Sequence, residues 1–594
     1  MRLYRSLCLF LFVLVLVPVC QTGAVAAPQD NTFEFRKLDG ALKAAVAVGA
    51  GPQRVIVRAR PGFRAALEQV LQAHGSSIRA DHPSINGISA VVETSELTSL
   101  AAEAVVASVS QDVPVTAGSA GAGQGWRSMP GPGLLRATLG LEAGQNSGSG
   151  VGVAIVDSGI APSTDFAGRL AAFFDFTNGG ARNVYPFDDY GHGTHVAGLI
   201  GGTGLASGFQ YQGVAPSVRF VGVKVLDKTG CGFTSDVVRA LEFLTANRER
   251  LGVQVVNLSL GHPVFEPAAT DPLVQAVEEA VRAGLVVVTS AGNFGKNPVT
   301  GEIGYTGITS PGNAPSAITV GSAVTFGTVP RGDDRVATYS SRGPTWYDAF
   351  AKPDIVAPGD SLVSVAAPGS TLYLENPSLR VGRRYMKLSG TSMSTAVVSG
   401  VVALMLDASA RTGPGPHMTV TTAVRRDRPM LTANAVKAIL QYTAIRVLDD
   451  AGAEYDYLTQ GGGEVNAAGA IEMASAINET APVGTVWVSF APRPVTTIGG
   501  EELVWARNIV WGSWVLTNTT GIFVNQPLWS NNIVWGNLDA DNIVWGNLDA
   551  DNIVWGNFDA DNIVWGNVEA DNIVWGNLRA DNIVWGNLRA DNIV

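Results

Sequence analysis

Four short stretches of this chain carry residues able to cleave an acyl bond. Ser392 sits in Ser389-Gly390-Thr391-Ser392-Met393-Ser394, ahead of the small apolar residues Ala396, Val397, Val398 and Gly400. A hydroxyl in the first turn of such a helix meets backbone N–H groups and the positive end of the helix dipole, which favour developing negative charge. His192 lies in Gly191-His192-Gly193-Thr194-His195-Val196-Ala197-Gly198, and an imidazole exchanges a proton near neutral pH. Asp157, in Val156-Asp157-Ser158-Gly159, ends an apolar strand. A carboxylate drawn out of water there needs an N–H partner, and a His ring supplies one that fixes tautomer and direction. Asn293, in Ser290-Ala291-Gly292-Asn293, offers an amide donor for an oxyanion. Singly, each has a plainer reading: a helix-capping Ser, a turn Asn, an Asp closing a turn. His192 and His195 have a metal-binding spacing, but they lack a Glu between them and a third ligand. His195 reads as a structural neighbour one turn on.

Positioning such groups takes a sheet whose strands end on one side. From Gly152 to about Ala476, apolar runs such as Val153–Val156, Val218–Val225, Val253–Val256 and Leu285–Val288 alternate with helical stretches. This predicts an α/β body with a doubly wound, mostly parallel sheet covered on both faces. Asp157, Asn257-Leu258-Ser259 and Ser290–Asn293 all follow strands, where the sites of open α/β sheets gather.

Together these contexts, in the order Asp, His, Ser, closely resemble the subtilisin (subtilase) family. Asn257-Leu258-Ser259-Leu260-Gly261, Ser340-Ser341-Arg342-Gly343-Pro344 and Lys352-Pro353-Asp354-Ile355-Val356-Ala357-Pro358-Gly359 add to the likeness, which spans about residues 140–475. The resemblance implies a serine endopeptidase acting on protein or peptide substrates. Ser392 would attack the peptide carbonyl, His192 would carry the proton to the leaving amine, and Asp157 would hold the imidazolium. Asn293 and the Ser392 backbone N–H would form the oxyanion hole. Ser259, Leu260 and Gly261 would pair with substrate backbone as an added strand, with Ala291 and Gly292 opposite.

The chain departs from the family pattern in three places. Ser394-Thr395-Ala396 stands where a small residue and then Pro are common, which is expected to loosen the helix start. His262 replaces an expected second Gly and is expected to narrow or polarise the cleft. Asp165 stands where some relatives place a calcium ligand, but Gly204–Gly213 lacks the Asn that would complete that site. No ion is expected there. Calcium elsewhere stays open, and no other cofactor is implied. No Gly-x-Ser-x-Gly elbow surrounds Ser392, which speaks against an α/β-hydrolase esterase. The competing function is a catalytically silent surface adhesin presenting the C-terminal repeats.

The N-terminal flank reads as processing segments. Arg2 and Arg5, the apolar run Leu7 to Val19, and Ala24-Val25-Ala26 form a signal-peptide pattern over residues 1–26, implying secretion to the outside or the cell surface. The run is short for a bilayer span, and Val19 before Cys20 argues against lipid attachment. Cys8 and Cys20 leave with the signal, so Cys231 alone remains and no internal disulfide forms. Cys231 reads as a packing residue in a turn. Residues 27–51 read as loose. Arg54–Val57, Phe63–Ala73, Ile88–Val92, Glu96–Ala104 and Val105–Val109 read as strand, helix, strand, helix, strand, a small α+β (ferredoxin-like) domain. Residues 27–116, with a core at 52–116, thus resemble the family's propeptide, an intramolecular chaperone and inhibitor. A linker at 117–139, a catalytic domain at 140–478 and a β-rich connector at 479–530 follow.

Residues 531–594 are a repeat. Asn-Ile-Val-Trp-Gly recurs every ten residues from Asn532, with an isolated copy at Asn508–Gly512. Read in fives, Asn precedes an aliphatic residue each time, which resembles the pentapeptide repeats of a square β-solenoid. Leu538, Ile543, Leu548 and Ile553 would point inward, and Trp545, Trp555, Trp565 and Trp575 would stack as a ladder. An extended tail is the alternative. Such a ladder suits contact with glycan or a cell surface, and equally plain packing. With 15% charged residues, a net charge of −11 and no basic run, the chain is a poor match for nucleic acid.

Overall fold

The computed structural model describes residues 33–118, 133–142, 147–177, 179–411, 431–512, 514–517 and 521–530, with the backbone of six strands between 538 and 593. The signal-peptide pattern at residues 1–26 lies outside the described residues.

Residues 53–111 form a four-stranded antiparallel sheet in the order 77–82, 87–92, 53–59, 106–111. Helices Arg64–Ala73 and Leu97–Ala102 pack on it through Leu67, Leu71, Leu97 and Leu100. Strand Ser77–His82 has no counterpart in the sequence reading. It is an edge strand whose only large apolar residue is Ile78, and its side chains are mostly exposed, so no alternation marks it. Residues 27–51 are not loose throughout. Gly40–Val48 is a helix capped by the Asp39 side chain, with Leu42 buried. Its alanines favour helix, and Asp39 takes up an orphan N–H.

The body is built on a nine-stranded sheet. Strands 318–324, 286–290, 255–258, 152–157, 219–224 and 170–175 lie in that order, all parallel. Strand 355–358 pairs in parallel with 318–324, while 335–336 and 182–183 are antiparallel edges. Every residue of Gly152–Asp157 and of Ile318–Val324 is buried. Successive side chains face opposite ways, so both faces of the sheet are covered. Helices Thr234–Leu251 and Pro272–Arg282 pack on each other, and Thr391–Arg411 packs against His192–Gly201, Ala467–Ala476 and the central strands. The Thr391–Arg411 helix is long and apolar enough to cross a membrane, but Thr391–Ser409 is buried within the fold. Each fully buried Val, Leu or Ile of this core contributes about 1.5–3 kcal/mol.

The connector forms two hairpins, 495–498 with 501–504 and 509–511 with 514–516. The isolated Asn508–Gly512 copy docks on the body: Ile509, Val510 and Trp511 are buried, and Val510 N–H donates to Gln441 Oε1 at 2.6 Å. In the repeat region, strands twenty residues apart pair in parallel register: 538–544 with 558–564 with 578–584, and 548–554 with 568–574 with 588–593. Each strand runs through two five-residue units, giving two strands per twenty residues rather than four five-residue faces. Trp545, Trp555, Trp565 and Trp575 fall outside the described residues.

Candidate active site

Three neighbouring parallel strands, 152–157, 255–258 and 286–290, end on the same side of the sheet. Their ends bring Asp157, Ser259 and the Ser290–Asn293 turn together. Helices His192–Gly201 and Thr391–Arg411 begin there, each with its candidate residue in the first turn. Gly193 explains how close the first helix comes: a Cβ on it would stand 2.2 Å from Gly159 O and 3.1 Å from Asp157 Cβ. Gly191, at φ 104°, makes the turn into that helix.

Asp157 and His192 meet directly. His192 Nδ1 lies 2.9 Å from both Asp157 carboxylate oxygens, and both side chains are fully buried. Burial opposes a charge on His192, but the Asp157 charge and hydrogen bond, with Asp188 behind them, leave its pKa raised overall. Among the described residues His192 Nε2 is buried and has no hydrogen-bond partner. His195 is different in kind. Burial, with the nearby His192, pushes it down to about 3, and its Nε2 lies 3.2 Å from Leu362 O and 3.1 Å from Met386 O. It is a neutral packing residue.

Ser392 Oγ donates to Gly118 O at 3.0 Å and to Ser259 O at 3.2 Å, not to His192. The helix start is not loosened by the missing proline. Ser394 Oγ ties it to Ala357 O at 2.9 Å, and Thr395 Oγ1 bonds Thr391 O at 2.8 Å. Asn293 Oδ1 accepts from Thr391 N at 3.0 Å and Thr391 Oγ1 at 3.1 Å. The opposite amide nitrogen therefore faces the cleft, where a Cβ on Gly118 would stand 2.9 Å from it.

Gly118 is there because the chain lies in its own cleft. Strand Pro114–Ala117 pairs antiparallel with Leu260–Gly261 on one side and with Cys231–Phe233 on the other. Ala117 and Gly118 are thus part of the cleft contact rather than the start of a free linker. Arg136 and Thr138, in helix Leu134–Thr138, are buried against the body. Cys231 opens a strand instead of sitting in a turn. Ser259 Oγ donates to Ser392 O at 3.0 Å, and Ala291 and Gly292 line the opposite wall, with Gly292 N–H donating to Thr391 Oγ1 at 3.3 Å. His262 is buried, paired with Ser310 through backbone and stacked on Phe265 at 6.4 Å between ring centroids.

The subtilase family model matches residues 148–470, more than half of this chain. The chain belongs to the subtilase family. Serine protease AprX of Bacillus subtilis is 42% identical over 265 residues, covering 44% of this chain and 58% of that protein. Subtilisin E of Bacillus subtilis is 35% identical over 288 residues, covering 48% and 61%. Subtilisin of Bacillus pumilus is 35% identical over 297 residues, covering 50% and 88%. The chain thus spans about three-fifths of the length of the first two relatives. Fervidolysin from Fervidobacterium pennivorans, a keratinolytic enzyme related to subtilisin, has a TM-score of 0.53 at 19% identity, covering 73% of this chain and 62% of that one. That likeness is one of fold.

Within this subtilase body a buried cradle, not read from the sequence, holds the Asp157–His192 pair. Asp188 Oδ1 accepts from Ser158 Oγ at 2.9 Å and Gly191 N at 2.6 Å, and Oδ2 accepts from Thr194 N at 2.8 Å and Thr194 Oγ1 at 2.6 Å. Ser158 Oγ in turn accepts from Gly193 N at 3.0 Å. One carboxylate therefore fixes Ser158, which follows Asp157, together with Gly191 and Thr194, which flank the start of the His192 helix. The signal was adjacency alone, since Ser158 follows Asp157 and Asp188 lies four residues before His192. In Asp188→Asn an NH₂ replaces an acceptor facing N–H donors. We expect kcat to fall about 10²-fold with KM within about twofold, the cost of slight misplacement. The acid limb of the rate profile should also move to lower pH, because Asp188 helps raise His192. A pH–rate series on purified variant and parent checks this.

The Asp165 carboxylate is taken up by hydrogen-bond donors: Tyr385 OH at 2.6 Å, Ala206 N at 3.0 Å and Thr203 Oγ1 at 3.2 Å. Among the described residues no cluster of three or more His, Cys, Asp or Glu is arranged to hold a metal ion.

Proposed function

We propose that this chain is a serine endopeptidase, exported as a precursor that removes its own N-terminal segment by cutting between Gly118 and Ser119. The observation that carries the proposal is the Gly118 carbonyl, 3.0 Å from Ser392 Oγ and beside the Asn293 amide, at the end of a strand seated between Leu260–Gly261 and Cys231–Phe233. Backbone pairing on two sides selects an extended peptide.

In the proposed reaction Ser392 Oγ attacks the Gly118 carbonyl carbon and passes its proton to His192 Nε2. Asp157 stabilises the imidazolium through Nδ1. The oxygen of the tetrahedral intermediate takes a hydrogen bond from the Asn293 amide, a kind of contact worth about 3–4 kcal/mol of barrier. Collapse breaks the peptide bond, and the Ser119 amine leaves with the proton from His192. Water then attacks the Gly118–Ser392 ester by the same relay and frees the enzyme. Other peptides that pair with the vacated cleft follow the same course.

N-terminal sequencing and intact mass of the processed protein test this. The expected mature chain begins at Ser119. A first residue far from 119, or a prosegment that stays attached in active protein, contradicts it. For the C-terminal repeats we propose stacked two-strand coils carried outside the catalytic body, with the cell surface as their contact. The parallel pairing twenty residues apart supports that arrangement.

A further inference from the structure

The contact between residues 33–118 and the body gathers several carboxyl groups near one half-buried cation. Asp39 Oδ1 accepts Leu42 N–H at 2.7 Å, and Oδ2 accepts Gln111 N–H at 2.5 Å. The next residue, Gly40, donates its N–H to Phe265 O of the body at 2.9 Å, and Tyr347 donates its hydroxyl to the same carbonyl at 2.9 Å. Asp39 is thereby set near Glu266 and near Asp271, the cap of helix Pro272–Arg282, both buried. Asp348 joins from the body, accepting Ala268 N–H at 2.9 Å. Against these stands the Arg58 guanidinium, which donates to Ala269 O at 3.1 Å and feels the charges of Glu266, Asp271 and Glu279. A cavity of about 300 Å³ opens between the two parts. Asp39 and Glu266 line it, and its prosegment side carries Arg36, Lys37, Lys43 and Arg60, exposed or half-exposed to water.

We propose that this cluster is a proton-operated latch: protonated, Asp39, Glu266 and Asp348 let the prosegment stay seated beside Asp271, and ionised, they drive it off the body. The inference rests on the reading that residues up to Gly118 are the removable prosegment.

Burial pushes Asp39 up to about 6, and the Asp271 charge across the interface adds to this, against the backbone N–H groups that bond it. Burial pushes Asp348 up to about 6 as well. Burial, then Asp271 and Asp39, push Glu266 well above the usual carboxylate range. The Tyr347 hydroxyl is raised by burial, Asp39 and Glu266 and stays neutral. The half-exposed cations are solvated and screened, so they offset little of this.

The sign follows from linkage. Carboxyls whose pKa is raised in the joined form take up protons on joining, so the contact is tightest below about pH 4 and weakens as pH climbs through about 6. A group titrating at 3.8 when freed and at about 6 when joined loosens the contact by up to about a hundredfold. Water reaching the cavity gives the ionised groups somewhere to be solvated as the parts separate.

The test uses the full chain in two forms. In the wild type, co-elution of the cut prosegment with the body on a sizing column is followed at about pH 5.5 and about pH 7.5. Release at the higher pH should be at least about tenfold faster. Glu266→Gln, which keeps the shape and removes the charge, should release slowly at both. In uncut Ser392→Ala, backbone hydrogen exchange over 40–48 and 265–271, corrected for intrinsic rates, should lose protection between the same two pH values. It should lose less when Glu266→Gln is added. Equal release at both pH values, or a pH dependence that Glu266→Gln leaves unchanged, overturns the latch. The exchange readout needs no catalysis. A chain that never cuts itself overturns the proposed function, and the latch is then judged on exchange alone.

Discussion

Ser392→Ala should lower kcat on peptide substrates by about 10⁶-fold and leave the precursor uncut. The size follows from what the change removes. The hydroxyl is the group proposed to form the ester with Gly118, and it is the nucleophile that His192 and Asp157 would activate. The variant should fold, because Ala fits the first turn of helix Thr391–Arg411 and only the hydroxyl bonds to Gly118 O and Ser259 O are lost. Substrate should bind as before, since the strand pairing with Leu260–Gly261 and Cys231–Phe233 is untouched. Residual hydrolysis should remain about 10³–10⁴-fold above water, from the Asn293 donor and binding alone. The check is kcat on a chromogenic peptide together with a gel of the purified chain. Unaided maturation of this variant in a protease-free host would show that another group cuts.

The second large effect belongs to Asp157→Asn, for which kcat should fall about 10⁴-fold with KM little changed. The amide can keep one contact to His192 Nδ1 but presents it with a donor in the other tautomer, and it no longer stabilises the imidazolium. The pH dependence separates this from simple disruption. The pKa of His192 is raised because Asp157 outweighs burial. With His192 as the proposed base, the parent should lose rate as pH falls through that raised pKa. Without the Asp157 charge, burial dominates, the pKa drops, and the acid limb moves to lower pH. A variant with reduced rate and an unmoved limb would mean that Asp157 does not set the proton affinity of His192.

The parallel sheet was legible because buried strands are continuous apolar runs: Val153–Val156 and Leu285–Val288 read directly as strands. Asp157, His192, Ser392 and Asn293 were legible because glycines and strand ends bracket them in short contexts. Strand Ser77–His82 was not, since an edge strand has no core face to mark it. Helix Gly40–Val48 lies in an Ala-rich stretch that carries no clear apolar period. The Asp188 cradle and the Asp39–Glu266 contact depend on hydrogen bonds and charges between distant segments, which leave no period along the chain. The Gly- and Ser-rich surroundings of Gly118 carry no local signal of its place. Its position comes from pairing with Leu260–Gly261, more than a hundred residues away. The same holds for Asn508–Gly512, whose docking on Gln441 and Ala351 could not be foreseen from its repeat-like composition.

The most direct test of an activated Ser392 is titration of the processed protein with a fluorophosphonate, followed by peptide mapping of the adduct. One label per chain, on the peptide that contains Ser392 and absent from Ser392→Ala, is the predicted result. No label, or a label on another serine, would contradict the proposed nucleophile and favour a silent body that merely presents the repeats.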